Sequence, residues 1–151
     1  MDSNIITAGT TVYFPVRVPG GLLAMGDLHA SMGDGEVSGT GIEIAGTVTV
    51  RVRIIKNTEL NWPVTETEDA WFVNTNGLTT DTGIRRGYKE IQRLVSKAYG
   101  WDSIDTAMYL SLQAMISANQ ACLGFLITEE NDGPTIRVGV PKLPDKPRLI
   151  G

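Results

Sequence analysis

The stretch Ile84-Arg-Arg-Gly-Tyr-Lys-Glu-Ile-Gln-Arg-Leu-Val-Ser-Lys-Ala-Tyr-Gly-Trp-Asp-Ser-Ile-Asp-Thr-Ala-Met-Tyr-Leu-Ser-Leu-Gln-Ala-Met-Ile116 sets the architecture. It reads as two helices in a row with no strand between them. Ile84, Tyr88, Ile91 and Val95 recur at helical spacing, and Gly100 suits a C-terminal cap. Asp102 can cap the next start, after which Ile104, Ala107, Met108, Leu112, Met115 and Ile116 form one apolar stripe. The methionines in it read as core filler. Strand patterns flank the pair. Upstream, Thr10–Val18 reads as an early strand whose Pro15 favours an edge. Ile42, Ile44, Val48, Val50, Val52 and Ile54 alternate with polar residues over 42–55, the clearest strand signal in the chain. Residues 57–70 read as a loop or irregular edge, Ala70–Asn74 as a short strand, and Asn76-Gly77 as a turn. Downstream, Leu123–Thr128 and Thr135–Val140 read as strands joined by a turn at Glu130–Pro134. Strands, two consecutive helices, then strands is not βαβ alternation. It predicts an α+β fold, an antiparallel sheet with the helix pair packed on one face. The expected partner of the pair, at roughly 82–118, is the sheet holding 42–55.

Chemistry is concentrated in Gly26-Asp-Leu-His-Ala-Ser-Met-Gly-Asp-Gly-Glu36. His29 is the only histidine among 151 residues. Asp27 and His29 are two apart, as are Asp34 and Glu36, and in extended backbone such pairs project from one face. Glycines at 26, 33 and 35 permit turns that fold one pair toward the other. Three carboxylates and one imidazole suit a divalent cation, zinc first, with manganese or calcium as oxygen-rich alternatives. An ordinary polar loop contains similar residues. Crowded carboxylates, however, repel one another unless a proton, a cation or solvent relieves them. On this reading Asp27, His29, Asp34 and Glu36 are metal ligands. Glu36 and Asp34 are also the catalytic candidates, since a carboxylate not used as a ligand can serve as general base. Ser31 and Ser38 lie near His29, but no nucleophile-elbow pattern surrounds either.

The segment from Val18 to Glu43, Val-Pro-Gly-Gly-Leu-Leu-Ala-Met-Gly-Asp-Leu-His-Ala-Ser-Met-Gly-Asp-Gly-Glu-Val-Ser-Gly-Thr-Gly-Ile-Glu, closely resembles the signature of the acetamidase/formamidase family. Met108–Met115 and Val138–Lys142 resemble that family's later helix and final strand. The resemblance implies hydrolysis of a short aliphatic amide, formamide or acetamide in type, to a carboxylate and ammonia. Glu43 becomes a further candidate because it ends the matching segment. A solvated residue on a strand's wet face is an equally good reading of it. Family members often carry cysteine where this chain has Ser38, so no thiol role is implied there. They are longer chains, and the resemblance covers their later part. It therefore implies a homo-oligomer, or a complex with a missing N-terminal half of a split enzyme. A non-catalytic module that binds metal or a partner through the retained fold is the alternative.

Length and composition fit a single domain over residues 1–151, with 42% hydrophobic residues. A net charge of -4 argues against nucleic acid as a partner, since phosphate binding needs a basic surface. No apolar run approaches membrane-spanning length, and no signal peptide is visible. The single Cys122, in an apolar run, reads as a buried structural thiol. Together these features predict a cytoplasmic location.

Overall fold

A computed structural model of the chain describes residues 2–120 and 133–151. In chain order the elements are β1 (Thr11–Tyr13), β2 (His29–Ser31), β3 (Ile42–Glu43), β4 (Val64–Glu66) and β5 (Ala70–Asn76). Then follow α1 (Thr80–Tyr99), α2 (Ser103–Gln113), β6 (Met115–Gln120) and β7 (Thr135–Pro141). Five strands form one sheet in the order β1-β4-β5-β7-β6, and β2 and β3 form a second, two-stranded sheet. Every pairing is antiparallel. The expected α+β class is thus observed. The strand expected at Leu123–Thr128, most of the Glu130–Pro134 turn, and Cys122 lie outside the described residues. Among the described residues, no helix is long and apolar enough to cross a membrane.

The helix signals read at Gly100 and Asp102 act as expected, and Thr79 adds a cap that the sequence reading did not name. Thr79 caps α1 by accepting from the Thr82 N–H, and Gly100 closes it in the left-handed region at φ 68°. The Asp102 carboxylate accepts from the N–H groups of Ile104 and Asp105 and starts α2. Helix α1 lies across β5 and β7. The approach is close because α1 carries glycine there: a Cβ on Gly87 would sit 2.4 Å from Val138 Cγ2. Buried Trp71 and Val73 from β5, Ile136, Val138 and Val140 from β7, and Ile91, Leu94 and Val95 from α1 form the core. The two-residue period of a strand then puts Arg137 on the opposite face of β7 from Ile136 and Val138. The far face of the sheet, away from α1, is where the site loop attaches.

Two packing expectations are corrected. The partner of α1 is the β5–β7 sheet, not residues 42–55. Of that stretch only Ile42–Glu43 forms a strand, and Ile44, Val48, Val50, Val52 and Ile54 are exposed. Alternation there records a strand's side-chain pattern, but among the described residues no strand pairs with 44–55 and no layer covers it. The second correction concerns α2. Ile104, Met108 and Leu112 are 68%, 60% and 78% exposed, while Thr106 and Leu110 are buried. Helix α2 meets α1 through Thr106, whose hydroxyl lies 2.8 Å from that of Ser96, and this turns the apolar stripe roughly half a turn away from the core. The helix also ends at Gln113, so Met115 and Ile116 open β6 instead of extending the stripe. Leu110→Ala should therefore cost about 2–5 kcal/mol. Met108→Ala and Leu112→Ala should stay within about 0.5 kcal/mol of the parent chain. Urea unfolding of the three variants separates the two faces of α2.

Candidate metal centre

The centre is built by the pairing of two very short strands. In the β2–β3 ladder His29 stands directly opposite Glu43, with an irregularity before Ser31 pairs with Ile42. That register brings His29 Nε2 to 2.9 Å from Glu43 Oε1. Asp27, just ahead of β2, turns its Oδ1 to 3.3 Å from the same Nε2. Ligand-type atoms of Asp27, His29 and Glu43 all lie within 4.8 Å of one another. Glu36 approaches the other side of the ring, its Oε1 3.7 Å from Nδ1. The imidazole is thus flanked by three carboxylates, although its own side chain is only 7% exposed. The Glu43 hydrogen bond, opposed by desolvation and aided by the charges of Asp27 and Glu36, holds the His29 pKa above its ordinary value. A protonated imidazole is not a metal ligand, so any cation here competes with that proton.

Backbone geometry differs from the extended pairs read in the sequence. Asp27 and Glu36 both take positive φ, 61° and 44°, which is uncommon for residues with a side chain. Asp27 still reaches His29, but Asp34 and Glu36 part company. The Asp34 carboxylate accepts from Arg137 at 2.5 Å and from Asn4 at 2.9 Å. Its pKa is held low by the Asn4 hydrogen bond, then by Arg137, against a desolvation that raises it. Glu36 is buried and accepts a hydrogen bond from the Gln120 side chain. The structure therefore gathers Asp27, His29 and Glu43, sets Glu36 beside them, and turns Asp34 to Arg137. An open hollow of about 490 Å³ adjoins the cluster, with Glu36 and Thr40 on its wall along with Met32, Val37 and Ser38.

Sequence reading missed several supporting groups. The Thr40 hydroxyl lies 3.2 Å from Glu43 Oε1, and Gly41 backs the imidazole. A Cβ on Gly41 would fall 2.8 Å from His29 Cγ and Nδ1 and 2.9 Å from the Ser31 carbonyl oxygen. The backbone oxygen cannot yield, so the ring must. Gly41→Ala should displace His29 and shift its side-chain NMR resonance, the only imidazole signal of the chain. An unmoved resonance would show that the β2–β3 hairpin absorbs the methyl group elsewhere. Arg137, Asn4 and Gln120 were also missed, because each lies far along the chain from the loop it touches.

The cluster falls within a long match to a family of known proteins. Residues 1–123 match the model of the Acetamidase/Formamidase family. Over 57 residues, 37% of this chain, the sequence is 51% identical to a formamidase of Methylophilus methylotrophus, a stretch that makes up 14% of that protein. An acetamidase from Yersinia enterocolitica superposes with a TM-score of 0.81 at 29% identity, covering 93% of this chain and 40% of that one. An acetamidase from Bacillus halodurans superposes with a TM-score of 0.79 at 34% identity, covering 93% of this chain and 45% of that one. This chain thus spans less than half the length of these solved relatives. With the family match running through most of its residues, the chain belongs to the acetamidase/formamidase family.

Proposed function

We propose that this chain supplies the metal-holding part of a hydrolase that converts a short amide, such as formamide or acetamide, to a carboxylate and ammonia. The observation that carries the reading is the meeting of Asp27, His29 and Glu43 beside the buried carboxylate of Glu36. Family membership and the names of the relatives support the reaction class. Two carboxylates and an imidazole fit a divalent cation, with three protein ligands leaving a position open. Zinc suits that set, and manganese or calcium suits it if further oxygens join. A cation held there would polarise the amide carbonyl and make water a stronger acid. Glu36 takes the proton released as water's oxygen bonds to the carbonyl carbon. It returns that proton to the nitrogen as the C–N bond breaks, and ammonia leaves. The hollow beside Glu36 and Thr40 receives the amide.

The exposed apolar residues Ile44, Val48, Val50, Val52 and Ile54 support a partner surface, since a high density of exposed large apolar side chains is what interfaces carry. The remaining family portion or a second copy of this chain would cover it. The same residues favour the second reading, a metal- or partner-binding module without catalysis. A cytoplasmic setting completes the proposal, supported by the single cysteine. Ammonia release from formamide and acetamide tests it, with the chain alone and with the remaining family portion supplied as a second polypeptide. Substantial release in the paired sample supports the hydrolase. No release under any pairing, with metal still bound, supports the module.

A further inference from the structure

The geometry points to Arg137 and Asp34 as positioning residues, a clamp that ties the site loop to β7 and so fixes where Glu36 and His29 stand. Arg137 is the rigid end. Its side chain is 4% exposed and anchored on a strand paired on both sides. Its guanidinium donates to Asp34 Oδ1 at 2.5 Å, to Asn4 Oδ1 at 2.7 Å, to Ser3 Oγ at 3.3 Å and to Ser117 Oγ at 3.1 Å. A buried guanidinium left short of partners is costly, so this constellation holds its shape. The loop is the compliant end, and Asp34 is 53% exposed. It is pinned at three successive residues. Asp34 takes the guanidinium, the Gly35 N–H donates to the Asn119 carbonyl at 3.1 Å, and Glu36 accepts from Gln120. Asn4 joins the pins, donating to Asp34 Oδ1 at 2.9 Å while it accepts from Arg137. Glu36, two residues on, is thereby delivered to the His29 ring. Without the clamp, glycines at 33 and 35 leave the loop free to turn. Asp34 is then an anchor and not a ligand.

The effect on metal affinity rests on the function proposed above; the effect on loop position does not. The test uses the whole chain, free of metal and then titrated with zinc, in three forms: parent, Asp34→Ala and Arg137→Lys. The His29 imidazole resonance should move in both variants without metal, while amides of the β5–β7 core stay in place. Zinc affinity should fall by about 10-fold in both, the low end for losing a group bonded to a ligand, because the clamp acts on His29 through Glu36. If Arg137→Lys does not fold, Asp34→Ala decides, because its side chain is exposed. An unmoved resonance in metal-free, folded Asp34→Ala overturns the clamp. If zinc affinity nevertheless falls in that variant, Asp34 is a ligand instead. Should the parent chain bind no zinc, the metal reading fails and the resonance alone judges the clamp.

Discussion

Trp71→Ala should lower the stability of the chain by about 3–5 kcal/mol, the range for large-to-small changes at buried aromatics. Trp71 is 1% exposed at the start of β5, with β4 on one side and β7 on the other. Tyr13 packs on it with ring centroids 6.0 Å apart. Lys142 Nζ and Arg148 Cζ stand 5.4 and 5.9 Å from its ring centre. Both cations also bind Glu66, at 2.8 and 2.5 Å. Burial pushes the Glu66 pKa up, but hydrogen bonds from Lys142, Tyr13 and Arg148 outweigh it and hold the carboxyl below its ordinary value. The indole therefore fills core volume and floors an ionic cluster that holds the C-terminal segment. Its removal leaves a cavity and strips the cations of their aromatic face. Urea unfolding measures the loss. A loss under about 1 kcal/mol would place Trp71 outside the cooperative core.

If the chain works as proposed, as part of an amide hydrolase with Glu36 as general base, Glu36→Gln should lower kcat by about 10²–10⁴-fold when the remaining family portion is supplied. The substitution keeps the side chain's shape, and its amide oxygen can still accept from Gln120. What it loses is the ability to take a proton. Metal occupancy should be retained, because Asp27, His29 and Glu43 are untouched. Ammonia release and metal content, measured on one preparation, separate the roles. Full activity excludes Glu36 as base, and joint loss of metal and activity makes it a ligand.

The local signals that the sequence carries well are those that act within a few residues. Asp102 caps through the N–H groups two and three residues on, and Gly100 takes the left-handed backbone, so the helix boundaries there were legible. The α+β class followed from element order alone. What failed were inferences about which apolar face meets which layer. The row over 42–55 and the stripe Ile104–Met108–Leu112 are both apolar and periodic, yet both are exposed. Periodicity reports the chemistry of a face, not which layer meets it. Within the site, the Asp27–His29 pair survived because its residues are neighbours. Glu43, a candidate from the family resemblance alone, reaches His29 through the β2–β3 register, fourteen positions away. Asp34 instead meets buried Arg137, 103 positions away. The Arg137 contact has no local sequence signal.

Metal binding by the purified chain is the decisive measurement. Protein stripped by a chelator, reloaded with zinc and freed of excess ion would be analysed for metal content, alongside His29→Ala and Glu43→Ala. The account predicts a single divalent ion per chain in the parent and loss of it in both variants, with the β5–β7 sheet still folded. Occupancy that is unchanged when both His29 and Glu43 are replaced by alanine would contradict it.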